Sequence, residues 1–382
     1  MNADPRELGR RLVDWFEAHK RDLPWRRDRD PYRVWVSEVM LQQTRVETVV
    51  SRYDSFLRRF PTVEQLAAAA EEDVLKEWEG LGYYSRARNL WLAAREVMAR
   101  YGGQLPQHPD ELAKLPGIGR YTAAAIASIA FNYPSPAVDG NVLRVLARLY
   151  GIAEPVTQGA VQRRIEELAA AMMPAEQAGR FTEALMELGA LVCTPGRPDC
   201  GRCPWADACV ARAEGAAEAL PVRPKKQPGR VVHGAVAVAV AQGTGGEVPR
   251  LLVVRRPEGG LLAGLWEFPW LELPADVSDE EAAARLRQRL QELYGVAARP
   301  AGRLQDVTHV FSHLTWRLRV FEYAVDAGAG GGRGPETGGA AWRWATADEL
   351  DALPFGRAHR RIAGAWRALA HVSDPTPGKG GD

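Results

Sequence analysis

The sequence predicts a two-domain protein in which an all-α domain is followed by an α+β domain. A chain of 382 residues is too long for one ordinary hydrophobic core. Up to about residue 212, apolar residues recur at helical spacing and no segment alternates like a strand. After the last cysteine, at position 209, the pattern changes to short β-rich segments around one predicted helix.

Charge does not identify a partner. Lys and Arg number 49 against 48 acidic residues, so the net charge is +1. A DNA-binding protein usually carries a basic excess, so any DNA contacts must come from basic groups segregated onto one face.

Residues 1–20 lack the pattern of a signal peptide, and no stretch approaches the roughly 18 uninterrupted apolar residues of a membrane span. We therefore expect a soluble, cytoplasmic monomer with no membrane partner.

The first domain is predicted to be a succession of helices. Two N-terminal segments carry apolar residues at helical spacing: Leu8, Leu12, Trp15 and Phe16, then Val36, Val39, Met40 and Val46. Further helices are predicted at residues 110–115, 121–130 and 142–149. We place the boundaries of the catalytic domain at 1–214.

The second domain follows a basic connector. Residues 215–230 contain three prolines and several basic residues, which predicts an extended linker. Residues 231–370 form the second domain, and residues 371–382 are expected to be a disordered tail. Within the domain we predict strands at 231–241 and 251–255, a helix at 279–293, a hairpin at 307–323 and a glycine-rich loop at 327–340.

All four cysteines lie in one short segment with the spacing Cys193-x6-Cys200-x2-Cys203-x5-Cys209. Such crowding indicates a metal or cluster site in a reducing compartment, because disulfides usually join distant segments. Four thiolates can hold zinc or a 4Fe–4S cluster, but zinc sites generally contain two tight Cys-x2-Cys pairs. The spacing resembles that of the iron–sulfur DNA glycosylases of the endonuclease III superfamily, which implies a 4Fe–4S cluster. Zinc and free thiols are the alternatives. A purely structural cluster, which fixes the C-terminal end of the helical domain, is the simplest role.

A Leu-Pro-Gly-Ile-Gly segment at residues 115–119, the 115–119 turn, separates two predicted helices. Two glycines let the backbone approach a phosphate, and the N–H groups that begin the next helix can bind the anion. The segment resembles a helix-hairpin-helix, which binds the DNA backbone without reading its sequence. The residues expected at the backbone are Leu115, Gly117 and Gly119.

Two carboxylates are candidates for acid–base chemistry. Asp139 stands where a helix begins, so backbone N–H groups and the helix dipole would keep it ionised. A simple helix cap is the alternative reading. Glu38 lies in the apolar helical segment 35–44, where burial would raise its pKa toward neutrality. A solvated surface glutamate is the alternative there.

Five features occur in the order found in the MutY adenine DNA glycosylase family, which the helical domain resembles over essentially its whole length. They are Glu38 with the Leu-Gln-Gln-Thr run, residues 80–87 (Gly-Leu-Gly-Tyr-Tyr-Ser-Arg-Ala), the 115–119 turn, residues 138–141 (Val-Asp-Gly-Asn) and the four cysteines. The resemblance implies that Glu38 protonates adenine at N7 and that Asp139 stabilises the sugar cation. It also implies that Asn141 orients Asp139 and that water completes the hydrolysis.

Tyr121 follows the 115–119 turn, where bifunctional relatives such as endonuclease III carry a lysine that attacks the sugar. Tyrosine cannot form a Schiff base, which predicts a monofunctional glycosylase that leaves an intact abasic site. The resemblance also implies two further groups, for which core packing or surface polarity is the alternative. The adenine pocket would include Trp25, Arg26, Leu41, Val46 and Glu183, and the gap left by the flipped base would be filled by Gln43, Leu81 and Tyr83.

The second domain resembles a Nudix fold, because a β-rich segment at 251–256 is followed by Gly-Leu-Trp-Glu-Phe-Pro at 264–269. A Nudix hydrolase needs an R-E-x-x-E-E-x-G helix to hold magnesium, and residues 288–295 retain one acid, so pyrophosphate hydrolysis is not expected. Residues 311–313, the 311–313 tip, match the Phe-Ser-His loop with which MutY proteins read 8-oxoguanine. Ser312 could accept the lesion's N7–H while Phe311 and His313 position the loop; a strand-edge serine is the alternative.

The resemblance therefore implies excision of adenine from double-stranded DNA that contains A·8-oxoguanine or A·G mispairs. One alternative is a thymine glycosylase for G·T mismatches, whose helical domain shares the tyrosine but which usually lacks the second domain. The other is a non-catalytic lesion sensor, which the presence of both carboxylates disfavours.

Overall fold

The structure is a computed structural model that describes residues 4–224, 229–243, 247–326 and 341–372. Packing divides the chain into unit 1, Met1–Ala69 with Arg86–Lys226, and unit 2, Ala70–Ser85 with Gln227–Asp382. Residues 70–85, which we had included in the helical domain, thus pack with the C-terminal unit. The predicted boundaries at 214 and 230 stay predictions. The glycine-rich loop at 327–340 lies outside the described residues.

The N-terminal part of the chain is helical, and the described residues before Arg230 contain no strand, as predicted. Residues 24–26, 175–177 and 200–202 add single turns of 3₁₀-helix. The α-helices are α1 (Pro5–His19), α2 (Pro31–Leu41), α3 (Val46–Arg59), α4 (Val63–Ala68), α5 (Glu71–Glu77), α6 (Ser85–Tyr101), α7 (Pro109–Leu112), α8 (Arg120–Phe131), α9 (Gly140–Tyr150), α10 (Gly159–Met172), α11 (Ala178–Leu191) and α12 (Val210–Ala213).

The two N-terminal segments with helical spacing form three helices instead of two. Helix α1 is capped by Asp4, and its Leu8, Leu12 and Phe16 are buried on one face, as the spacing predicts. The second segment is interrupted, because α2 ends at Leu41 and Val46 begins α3. Between them Gln43 has a φ of +57°, a left-handed conformation that terminates a helix.

Unit 1 is built so that α8 lies against both α2 and α11. Helix α8 is rich in alanine, and most of its residues are buried, which lets the neighbouring helices approach closely. A second core joins α1, α9, α10 and α11 around Phe16 and Phe181. Side chains from α2, α8, α9 and α11 can therefore converge on one site.

Unit 2 contains a seven-stranded sheet with the order β3-β2-β1-β6-β5, to which β4 adds beside β1 and β7 beside β2. Among the described strands, β1 and β6 pair in parallel and the other pairs are antiparallel. The strands are β1 (Arg230–Ala241), β2 (Arg250–Arg255), β3 (Trp266–Glu267), β4 (Trp270–Glu272), β5 (Ala298–Val310), β6 (Leu314–Val325) and β7 (Trp342–Thr346). The predicted strands and hairpin are thus present, with longer hairpin arms.

Three helices cover the sheet of unit 2: α13 (Asp279–Tyr294), α14 (Ala347–Ala352) and α15 (Arg357–Val372). Along β1, valines at 236, 238 and 240 pack toward α15, whereas alanines at 235, 237 and 239 pack toward α13. The alternation buries both faces of the central strand. Helix α15 extends two residues into the predicted tail 371–382, and the rest of that tail lies outside the described residues. Of the helices described in either unit, none combines the length and apolarity needed to cross a membrane.

Candidate active site

Unit 1 contains a cavity of about 450 Å³, which lies within the usual size range of ligand sites. Side chains from α2, α8, α9 and α11 and from the segment before α2 line it. The lining includes all four predicted catalytic residues and every predicted base-contacting residue of unit 1: Glu38, Tyr121, Asp139, Asn141, Trp25, Arg26, Leu41, Gln43, Val46 and Glu183. The structure thus brings together residues that are up to about 160 positions apart in the sequence.

Glu38 lies on α2 and is 5% exposed. Burial raises the pKa of Glu38 to about 7; a hydrogen bond from Tyr121 opposes this rise, and the nearby negative charges of Asp139 and Glu183 add to it. The predicted buried, near-neutral carboxyl group is therefore confirmed. A carboxyl with this pKa is partly protonated at neutral pH, as a general acid requires.

Tyr121 lies at the start of α8 and faces Glu38. Its hydroxyl donates to Glu38 Oε2 at 3.2 Å and lies 3.7 Å from Met186 Sδ. Burial raises the pKa of Tyr121 well above its ordinary value, so the hydroxyl remains protonated. The position that we compare with the lysine of bifunctional relatives therefore holds a neutral donor.

Asp139 caps the N-terminus of α9. Its Oδ1 accepts from the backbone N–H groups of Asn141 at 2.8 Å and Val142 at 2.7 Å, and its Oδ2 accepts from Asn141 Nδ2 at 3.0 Å. Asn141 thus makes the contact expected of an orienting residue. Burial raises the pKa of Asp139, although the three hydrogen bonds oppose the rise. The backbone contacts predicted for this helix start are therefore present, and the ionised state of Asp139 stays a prediction.

A buried ion network, which the sequence analysis missed, forms one wall of the cavity. Glu187 accepts from Arg21 through the backbone N–H, Nε and Nη2, at 3.0, 3.0 and 2.7 Å, and from Arg26 Nη1 and Nη2, both at 3.0 Å. Burial alone would raise the pKa of Glu187, but the two guanidinium groups outweigh it and lower the pKa to about 2.

Glu183 lies one turn before Glu187 on α11 and completes the network. Arg26 Nε lies 3.4 Å from Glu183 Oε1, and burial raises the pKa of Glu183. Two glutamates four positions apart in a largely apolar helix were the available sign of this network, because helical residues at that spacing share a face.

The 115–119 turn has the features expected of a phosphate-binding loop. Gly117 has a φ of +74°, and an added Cβ would lie 2.5 Å from Asn89 Cβ, so only glycine fits. Gly119 precedes α8 without a side-chain cap, and no atom lies within 4 Å of an added Cβ. The space beside Gly119 is therefore open, and no side chain caps the first N–H groups of α8. Leu115 is 2% exposed, so its expected contact with DNA can involve only its main chain.

The four cysteines are free, half-buried thiols in the segment between α11 and α12. Burial and, to a smaller extent, the other three sulfur atoms raise the pKa of Cys203 to about 12. The Cys203 sulfur is therefore within electrostatic reach of the other three. In the described ranges, no group of three or more His, Cys, Asp or Glu side chains is arranged to hold a single metal ion. Four thiols close together in one segment are a donor set that a 4Fe–4S cluster can take.

Leu81 and Tyr83 lie in unit 2, in the turn of residues 80–83 that precedes α6. Leu81 is 4% exposed, whereas Tyr83 is 40% exposed. The Tyr83 side chain is thus the more exposed of the two, and Leu81 would have to leave its packing to fill a gap in DNA. The predicted roles of both residues stay predictions.

The 311–313 tip joins β5 to β6 in unit 2. The Phe311 N–H donates to the Leu314 carbonyl at 2.8 Å, and the Phe311 ring packs edge-on against Trp316 at 4.9 Å. Ser312 and His313 are exposed, and Ser312 Oγ lies 3.3 Å from His313 Nδ1. An anchored phenylalanine thus holds an accessible hydroxyl at the tip, as expected.

Known proteins match both parts of the chain. Residues 36–171 match the family model of the HhH-GPD superfamily base excision DNA repair proteins, and residues 237–365 match that of the NUDIX domain. An adenine DNA glycosylase of Rattus norvegicus is 39% identical over 373 residues, which cover 85% of this chain and 72% of the relative. The Homo sapiens adenine DNA glycosylase is 37% identical over 403 residues, which cover 92% and 72%.

Among solved structures, a thermostable thymine-DNA glycosylase is 28% identical to this chain, with a TM-score of 0.50. The aligned region covers 55% of this chain and 97% of the thymine-DNA glycosylase chain. That likeness extends over about half of the chain, whereas the adenine DNA glycosylases align with most of it. The protein thus combines a helix-hairpin-helix domain with a Nudix-like domain. The chain belongs to the MutY family of adenine DNA glycosylases.

Proposed function

We propose that this chain hydrolyses the N-glycosidic bond of adenine mispaired with 8-oxoguanine or guanine in double-stranded DNA, as a step of base excision repair, and leaves the strand intact. The observation that carries the proposal is the meeting of the buried Glu38 and the half-buried Asp139 in one cavity with Tyr121. When two carboxyl groups lie in different environments, one can act as a general acid while the other stays ionised and stabilises positive charge. Family membership supports adenine as the base.

Glu38 is the general acid. At neutral pH a carboxyl group with a pKa of about 7 is protonated in a substantial fraction of molecules. Its proton passes to a ring nitrogen of adenine, so that the bond between C1′ and the base breaks with the electron pair leaving on a neutral base. Glu38 is then a carboxylate.

Asp139 stabilises the sugar cation that this step leaves. Three hydrogen bonds favour its anionic form and fix its orientation, so its charge needs little rearrangement as the cation develops. Water adds to C1′ and gives its proton to the Glu38 carboxylate, which restores the acid. Tyr121 carries no amine, so no Schiff base forms and the abasic strand is not cut.

Arg26 and Trp25 form part of the wall that would receive the flipped adenine. Arg26 is held by Glu187 on both of its terminal nitrogens, and Trp25 lies edge-on to Tyr53 at 5.6 Å. A base that leaves the stack needs such a fixed, partly aromatic wall in place of its neighbours.

The rest of the chain would hold and read the DNA. The uncapped N-terminus of α8 binds a phosphate, and the Ser312 hydroxyl accepts the N7–H that 8-oxoguanine has and guanine lacks. The four cysteines would hold a 4Fe–4S cluster, which would cross-link the segment 193–209, and the cluster need not be redox-active in catalysis. All three assignments are part of the proposal.

The test measures the base released from A·8-oxoguanine, A·G and T·G duplexes by the wild type and by Glu38→Gln. We expect free adenine from the first two duplexes with the wild type only, and an unbroken strand until alkali is added. Glu96→Gln, a change on the surface of α6, is the control and should behave as the wild type. Thymine as the main product, adenine release by Glu38→Gln, or borohydride trapping of a cut strand would each refute part of the proposal.

A further inference from the structure

Residues 70–85 are held in unit 2 by three side-chain contacts. Trp266 Nε1 donates to Glu72 Oε1 at 2.5 Å. Arg360 Nε and Nη2 donate to the two carboxylate oxygens of Glu79, at 2.6 and 3.0 Å. The Tyr84 hydroxyl donates to the carbonyl oxygen of Phe355 at 3.2 Å. The segment is therefore fastened to the C-terminal part of the unit at several points.

Two of these contacts flank the 80–83 turn, since Glu79 precedes it and Tyr84 follows it. Within the turn Gly80, Gly82 and Tyr83 have φ values of +96°, +72° and +48°. A tyrosine in the left-handed region is strained, so the turn keeps this shape only if its surroundings hold it. The flanking contacts supply that restraint while the Tyr83 ring stays exposed.

Arg360 is itself firmly placed. It donates to the carbonyl oxygens of Leu350 at 2.8 Å and Leu353 at 2.6 Å, and its guanidinium lies 4.9 Å from the centre of the Phe355 ring. Its side chain is 24% exposed and that of Glu79 18%, so the two-bond pair is partly screened from water. Such a pair holds geometry better than a single surface ion pair.

Helix α15, which carries Arg360, also contacts the strand that leads to the 311–313 tip. Arg361 Nη1 donates to the carbonyl oxygen of Thr308 on β5 at 3.2 Å. Arg360 thus contacts Glu79, next to the 80–83 turn, and Arg361 contacts the strand that leads to the 311–313 tip. A shift of α15 would change both contacts together.

We propose that unit 2 positions the 80–83 turn for DNA, with Glu79, Tyr84 and Arg360 as positioning residues, and that α15 links this turn to the 311–313 tip. The inference rests on the proposed function and on the predicted role of Tyr83 in filling the gap left by the flipped adenine. Reading of the lesion at the tip then favours the shape of the turn that stabilises the flipped state.

The test uses the full chain with Glu79→Gln, Tyr84→Phe and the double variant; Glu96→Gln and Tyr101→Phe are matched controls in unit 1. Single-turnover adenine release is measured on A·8-oxoguanine and A·G duplexes. The fluorescence of 2-aminopurine placed beside 8-oxoguanine reports unstacking by the turn, and circular dichroism reports folding. A change that only weakened the fold would not alter the fluorescence of a duplex bound by folded protein.

We expect the double variant to release adenine from the A·8-oxoguanine duplex roughly tenfold more slowly than the wild type, with a smaller loss on A·G and a reduced 2-aminopurine signal. Wild-type rates and fluorescence in the double variant would overturn the inference. If the double variant fails to fold, the same two measurements on Tyr84→Phe test the inference, because that variant lacks only one hydroxyl group. Wild-type protein that unstacks 2-aminopurine but releases no adenine would refute the proposed function and leave the fluorescence comparison to test this inference.

Discussion

The Tyr121 hydroxyl donates to Glu38 Oε2 at 3.2 Å, which joins α8 to α2 inside the cavity of unit 1. Burial raises the pKa of Glu38 to about 7, and this hydrogen bond is the largest effect that opposes the rise. The Tyr121 hydroxyl therefore limits how far burial raises the pKa of Glu38.

Removal of that hydroxyl should move the pH profile of the reaction. Glu38 acts in its protonated form, so the single-turnover rate should fall as the pH rises through about 7. In Tyr121→Phe the pKa of Glu38 should rise, and the alkaline limb should shift to higher pH. The rate is measured from about pH 6 to 9. An alkaline limb at the same pH in wild type and variant would contradict this coupling, and Tyr101→Phe serves as the control.

Glu38→Gln should abolish adenine release and yet stabilise the protein in mild alkali. The folded-state pKa of Glu38 is raised from 4.5 to about 7, so its contribution to stability is complete below 4.5 and is lost as the pH rises through 7. A shift of this size corresponds to about 3 kcal/mol at most once the carboxyl is ionised. Urea unfolding of unit 1 should therefore favour the variant at about pH 9 and show little difference at about pH 5. A variant that is less stable than the wild type at the higher pH would contradict the burial argument.

The elements that could be predicted from the sequence are those with a local cause. Leu8, Leu12 and Phe16 predict α1 because their spacing matches the helical period, and Asp139 predicts a helix start because it can cap one. The approach of Glu38 to Asp139 was expected only from the family resemblance, since no local pattern relates residues on α2 and α9.

The features that were missed depend on contacts between distant segments. Glu187 meets Arg21 across 166 positions, and Arg360 meets Glu79 across 281, so no window of sequence contains either pair. The second pair is one of the contacts that hold residues 70–85 in unit 2. The effect of burial on the pKa of Asp139 could not be predicted either, because burial depends on the elements that cover a residue rather than on its own helix.

Glu187→Gln should damage both stability and adenine binding. The change leaves the guanidinium groups of Arg21 and Arg26 without their shared carboxylate, which should cost about 3 kcal/mol of unfolding free energy. Arg26 would also lose its fixed position, so the dissociation constant for a duplex with an uncleavable adenine analogue should rise. Glu17→Gln, which alters a more exposed partner of Arg180, is the control. Unchanged affinity with lowered stability would assign Glu187 to folding alone.

The ion network around Glu187 also makes the stability of the protein depend on pH in the acid range. The folded-state pKa of Glu187 is lowered from 4.5 to about 2, so its stabilising contribution is complete above 4.5 and is lost as the pH falls toward 2. Wild type and Glu187→Gln should therefore converge in stability on acidification. Thermal unfolding at about pH 7 and pH 3 would show whether the gap narrows.

Cys203→Ser should remove the cofactor and destabilise the end of unit 1. Cys203 is packed against the core that contains Trp205 and Phe181, so loss of a cluster ligand there should loosen the segment 193–209. Purified wild type should contain iron and inorganic sulfide and show broad visible absorbance, and the variant should lose all three. Zinc in place of iron in protein purified without oxygen would refute the cluster assignment.

Alanine substitutions at the 311–313 tip should reduce lesion preference without removing catalysis. Ser312→Ala deletes the hydroxyl proposed to accept the lesion's N7–H, so preference for A·8-oxoguanine over A·G should fall by up to about tenfold. Phe311→Ala should have a similar effect, because the ring that anchors the tip against Trp316 is lost. The rate on A·G should change little, since guanine lacks the N7–H donor, and Ser51→Ala in unit 1 is the control. If the triple replacement of Phe311, Ser312 and His313 keeps the wild-type preference, lesion reading must reside elsewhere in the protein.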